Sequence, residues 1–133
     1  MYLAILNDEQ KNLFLNIAKK LASTDGNFSE DERQVIDGYC HEMSVSVVKK
    51  LDIAKEDMIE RLGSISNTIE KKIIVFEFAG LVMADSNFDE SERVFLKQIA
   101  EKFDIDLNYI NKCEKVFQRY IELQNEINAL VME

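Results

Sequence analysis

Eight acidic side chains stand in two short windows that contain no basic residue. Asp25, Glu30, Asp31 and Glu32 lie in residues 25–32, and Asp85, Asp89, Glu90 and Glu92 lie in residues 85–92. Both windows read Asp-x-Asn-Phe-[Ser/Asp]-Glu-x-Glu. Oxygen-bearing side chains therefore recur at the first, third, fifth and eighth places: Asp25, Asn27, Ser29 and Glu32, then Asp85, Asn87, Asp89 and Glu92. Carboxylate, amide and hydroxyl oxygens gathered in this way suit a hard divalent cation such as Ca²⁺ or Mg²⁺. Without an ion, converging carboxylates repel and raise one another's pKa; with one, they are neutralised and the loops lock.

The spacing is not that of an EF-hand. The glycine needed at that loop's sixth place is replaced by Glu30 and Glu90, and the bidentate glutamate needed at its twelfth by Ile36 and Leu96. A tight loop with a glutamate one turn into the following helix describes both copies better. Capping is the competing account. Ser29 with Glu32, and Asp89 with Glu92, have the form of capping boxes, and acids at a helix start are favoured by its dipole. Capping does not account for Asp25 and Asp85, which follow a predicted helix end, where the dipole disfavours negative charge. Phe28 and Phe88 are expected to plug the loops into the core.

The elements that carry these loops are legible as helices. Asn7 and Gln10 form an N-terminal box for a helix near 8–24, with Leu13, Phe14, Ile17, Ala18, Leu21 and Ala22 on one face and Gly26 as its stop. A second helix starts at Ser29 and turns Val35, Ile36, Tyr39, Cys40 and Met43 inward. In 44–66, Val45, Val47, Val48 and Leu51 suggest one buried turn of helix, and Met58, Ile59 and Leu62 another. Asn67 and Glu70 open a helix to about Ala84, and Asp89 opens the next, with Phe95, Leu96, Ile99, Ala100 and Phe103 on its apolar face. Asp106 caps a long final helix whose apolar stripe runs to Val131.

A shift of sixty residues lays 21–33 on 81–93 with seven of thirteen positions identical, and the apolar pattern continues to Val45 and Ile105. One domain spanning 1–133 is predicted, with an internal repeat over 13–45 and 73–105. Two helix–loop–helix hairpins related by a pseudo-two-fold axis would bring the acidic loops near one another.

Composition narrows the function classes. A chain of 133 residues with 47% hydrophobic and 31% charged residues buries a real core in one domain. The absence of proline and the presence of only four glycines point to an all-α fold rather than a turn-dense sandwich or barrel. The net charge is -9, yet outside the two acidic windows 17 acids meet all 16 bases. That balance argues against nucleic acid and anionic membranes as partners. The N-terminal stretch has neither the basic start of a signal peptide nor the length of a membrane span. Cys40 and Cys113 are isolated, which reads as reduced thiols in the cytoplasm. His41 is the only histidine, so zinc tetrads, Cys–His pairs and Ser-His-Asp triads have no support. The chain is not expected to be an enzyme.

Asp25-Gly26-x-Phe28-x-x-x-Glu32, its copy Asp85-Ser86-x-Phe88-x-x-x-Glu92 and the sixty-residue spacing together resemble the tellurite-resistance TerB-like domains. That family includes the N-terminal domain of certain membrane-anchored J-domain co-chaperones. The resemblance covers about residues 7–105. It implies a helical bundle of six to seven helices and a divalent-metal site built from Asp25, Glu32, Asp85 and Glu92, beside which Asn27, Ser29, Asn87 and Asp89 would be secondary donors. It also implies a metal- or stress-response role carried out through a protein partner rather than by catalysis. Ser86 stands where the motif has glycine, and a left-handed backbone there costs about 1 kcal/mol, so the second loop is expected to bend differently or bind more weakly. The rival reading is a metal-independent protein–protein interaction module. The last helix either packs across both hairpins or extends beyond the body from about Ile121 and forms a homodimer.

Overall fold

The computed structural model describes residues 1–24, 26, 28–84 and 90–132. After a 3-10 turn at Leu3–Ile5 come six α-helices: α1 (Asp8–Ala22), α2 (Glu30–Glu42), α3 (Lys55–Ser64), α4 (Thr68–Met83), α5 (Glu90–Lys102) and α6 (Leu107–Met132), with no strand among the described residues. The predicted all-α bundle is the fold found.

Local chemistry sets the helix ends. The side chain of Asn7 accepts from the Gln10 amide at 2.8 Å while Gln10 accepts from the Asn7 amide at 2.9 Å. Asn67 and Glu70, sixty residues on, do the same at 2.8 and 2.9 Å. Helix α1 stops at Ala22, two residues before the predicted end. Gly26 follows in the left-handed region with φ 82°, its amide donating to the Ser23 carbonyl at 3.0 Å. Helices α2 and α5 end alike. Ser44 (φ 56°) and Asp104 (φ 57°) turn left-handed, and the amides of Val45 and Ile105 reach back to the carbonyls of Cys40 and Ala100, each at 2.9 Å. This Schellman closure is built without glycine in both places.

Helix α4 is apolar nearly all round because it has neighbours on several sides. It packs against α1, α2, α5 and α6, and Ile74, Val75, Phe78, Ala79, Leu81 and Val82 are buried. At the centre Phe14 of α1 stacks on Phe78 of α4 with ring centroids 4.5 Å apart, and Tyr39 of α2 meets Phe14 edge-on at 5.1 Å. The Tyr39 hydroxyl donates to the Glu77 carbonyl at 2.6 Å. Glu77 itself is buried within α4, where its carboxylate accepts from the Met1 ammonium. Burial alone would lower the pKa of that ammonium, but its hydrogen bonds to Glu77 and Glu42 hold it above the ordinary value.

The stretch from Val45 to Leu51 differs from expectation. It is not a helical turn but an irregular strap, and Val47 is 77% exposed. Two asparagines of α1 explain it. Asn12 and Asn16 both donate to the Lys49 carbonyl, at 3.0 and 2.9 Å, and accept from the amides of Lys49 and Leu51, at 2.9 and 3.3 Å. Side-chain amides thus satisfy the backbone where helical bonds would otherwise be needed. The second predicted turn is present as α3, with Met58, Ile59 and Leu62 buried.

Helix α6 is rooted by Ile110 and Cys113, by the Tyr109 hydroxyl donating to the Lys72 carbonyl at 2.9 Å, and by Phe117 stacked on Phe76 at 4.7 Å. Phe117 seats because residue 80 is glycine: a Cβ there would lie 2.7 Å from the ring. Every residue from Gln118 to Met132 is exposed, so the helix leaves the body slightly earlier than Ile121. Cys40 and Cys113 are both free thiols.

Asn16→Ala removes the more buried clamp on the strap and is expected to lower unfolding free energy in urea by about 2 kcal/mol. Burial, aided by the neighbouring Cys113, pushes the Tyr109 phenol up to about 12, and burial raises that of Tyr39 well above its ordinary value. Both protonated phenols therefore stabilise the fold fully below pH ~10, and this contribution is lost as pH rises through the folded-state values. Alkaline unfolding followed by circular dichroism should move to higher pH in Tyr109→Phe.

Candidate metal site

The first acidic repeat places Glu32 at the third position of α2, where it closes the box with Ser29. The Ser29 hydroxyl accepts from the Glu32 amide at 3.1 Å, and Glu32 Oε1 accepts from the Ser29 amide at 3.1 Å and from its hydroxyl at 3.0 Å. The predicted capping box is therefore real, and it occupies only one carboxylate oxygen. Glu32 is fully buried, and its Oε2 has no hydrogen-bond partner among the described residues. A cap requires no such burial, and a carboxylate oxygen withdrawn from water without a donor costs several kcal/mol. Phe28 lies partly buried against the core and carries the Arg33 guanidinium 4.9 Å above its ring.

Glu92 occupies the corresponding position of α5 and is also buried, at 2% exposure. The arginine that follows it is placed differently from that of the first repeat. Arg93, the counterpart of Arg33, turns to α6 and donates to Glu114 at 2.7 Å in a partly buried pair. Arg33 instead lies over Phe28 and 3.7 Å from exposed Glu30. Of the remaining candidates, Ser29 is half-buried at the start of α2, while Asp25, Asn27, Asp85, Asn87 and Asp89 lie outside the described residues, as do Ser86 and Phe88.

Among the described residues no group of three or more His, Cys, Asp or Glu side chains converges. What the described residues contribute is one buried glutamate per repeat, each just inside a helix N-terminus. The sequence could not show that Glu32 is fully enclosed, because capping boxes normally sit at the surface. An open groove elsewhere, between the start of α4 and the root of α6, is lined by Lys71, Lys72, Lys112, Lys115 and Tyr109, together with Asp104 and Asp106. Sequence reading missed it because the four lysines come from two distant segments.

No described helix is long and apolar enough to cross a membrane. No protein-family model matches the chain, and no curated protein matches it. A solved structure does: the crystal structure of a tellurite resistance protein from Nostoc punctiforme is similar with a TM-score of 0.68 at 19% identity, over 97% of this chain and 84% of that one. At that identity the likeness is one of fold, and it extends over nearly all of this chain.

The two oxygens of Glu32 can be separated by mutation. In chelator, Glu32→Gln keeps a capping side chain while removing buried charge, and its urea midpoint is expected to rise. Glu32→Ala loses the box and should cost about 1 kcal/mol. Equal losses in both variants would show that the carboxylate charge carries no penalty.

Proposed function

We propose that this chain is a TerB-like domain that binds a divalent cation through its duplicated acidic loops and acts by binding rather than by catalysis. The observation that carries the reading is the fully buried Glu32 carboxylate with Oε2 unpartnered among the described residues. Burial of Glu92 sixty residues later supports it. Matched N-caps at Asn7 and Asn67 and matched C-terminal turns at Ser44 and Asp104 support a structural repeat behind the sequence repeat. So does the packing of α1 on α4, with α1 also touching α5 and α4 touching α2.

In this reading Asp25, Glu32, Asp85 and Glu92 hold the ion, and Asn27, Ser29, Asn87 and Asp89 lend secondary oxygens. A bound Ca²⁺, Mg²⁺ or similar ion supplies positive charge to the oxygens gathered around it. Ser29 keeps Oε1 of Glu32 fixed, which orients the carboxylate and leaves Oε2 as the oxygen for the ion. The named role of the Nostoc punctiforme neighbour is tellurite resistance. For this chain we extend the broader reading of a cytoplasmic metal- or stress-response module working through a protein partner. A second reading, a metal-independent interaction module, is favoured by the lysine-lined groove, where an acidic segment would find complementary charge.

Thermal melting tests the metal reading. An ion at a hundredfold excess over its dissociation constant adds about 2.7 kcal/mol of stability. One of Ca²⁺, Mg²⁺, Mn²⁺ or Zn²⁺ is expected to raise the midpoint beyond an ionic-strength control. Asp25→Asn combined with Asp85→Asn is expected to abolish that rise with helicity intact. No shift with any of the four ions overturns cation binding, and a full shift in the double variant overturns the ligand assignment.

A further inference from the structure

From Gln118 to Met132 every residue of α6 is exposed, yet the helix keeps an apolar seam. Val116, Tyr120, Leu123, Ile127 and Leu130 follow one another at alternating steps of four and three residues. This is the 3.5-residue period that keeps a seam facing a second helix. Among the described residues, Leu123 is left 55% and Leu130 84% exposed.

We propose that α6 pairs with α6 of a second copy as an antiparallel two-helix coiled coil centred on residue 125. The steps between Tyr120, Leu123, Ile127 and Leu130 are three, four and three, so the seam is superimposed on itself when reversed. Tyr120 meets the partner's Leu130, and Leu123 meets the partner's Ile127, on both sides of a two-fold axis. An isologous contact of this kind closes after two chains. With this register the partner's Met132 lies opposite Gln118, where the helix leaves its body.

Area and charge both bear on the proposal. Each seam residue withdraws about 100 Å² from water. With Val131 at the flank, the pair buries about 1,000 Å² in total, enough for a weak, reversible interface. Charge selects the orientation. A parallel pair would set the bodies of two chains, each of net charge -9, side by side, with axes about 10 Å apart at the roots. The antiparallel pair places the roots about 24 Å apart along the axis, beyond two Debye lengths at physiological salt. One feature opposes pairing: Glu126 lies near the axis beside the partner's Glu126.

Sedimentation equilibrium with small-angle X-ray scattering tests this on the full chain. A reversible dimer with a dissociation constant of about 10 µM is expected, with a scattering distance distribution of two separated lobes. Leu123→Glu and Ile127→Glu should each weaken it at least about a hundredfold without changing the melting midpoint of the body, since both side chains are exposed. Glu126→Gln should tighten it about twofold. A wild type that is monomeric at about 0.5 mM overturns the proposal, as do charged variants that sediment like wild type. A single-lobed, side-by-side dimer overturns the antiparallel register.

Discussion

The enclosure of α4 is the constraint on which the other elements depend. A helix carrying Ile74, Val75, Phe78, Leu81 and Val82 on nearly all sides has no face to give to water. Helices α1, α2, α5 and α6 each cover part of it. The Phe14–Phe78 stack fixes the contact with α1, and Tyr39 closes it from α2 through an edge-on ring and a hydroxyl bound to the α4 backbone. The first acidic loop connects two helices that cover α4 and the second connects α4 itself to α5, so the positions of Glu32 and Glu92 follow from how α4 is buried.

Much of this was legible in the sequence, for physical reasons. Asn7, Ser29 and Asn67 are short polar side chains followed three residues later by Gln or Glu, and the boxes they announce are formed. The apolar faces of α1, α2 and α5 point where their 3.6-residue period places them. The strap after α2 was misread because Val45, Val48 and Leu51 do pack against the core, and apolar spacing alone does not distinguish a buried turn of helix from a clamped extended chain. The decisive residues, Asn12 and Asn16, lie more than thirty positions away in α1. The candidate site was legible as a set of oxygens, but not as a set of environments: only packing reveals that Glu32 loses all contact with water.

The two repeats share backbone and differ in what surrounds them. Ser44 and Asp104 adopt the same left-handed turn, and Glu32 and Glu92 the same helical position. Arg33 and Arg93 diverge, one over Phe28 and the other bound to Glu114. The first repeat is flanked by solvent on that side and the second by α6. A duplicated local code thus yields two unequal settings, because a symmetric pair of hairpins has only one terminal helix to share.

The notch at Gly80 has a mechanical consequence. Phe117 is gripped there and every described residue beyond it is exposed, which makes the rest of α6 a cantilever clamped at one end. Its free arm is about 22 Å long, so tilting the clamp by only about 5° sweeps the tip through about 2 Å. The clamp also includes Glu114, which Arg93 ties to the first turn of α5 beside Glu92. Small displacements in that turn are therefore delivered, magnified, to the far end of the molecule.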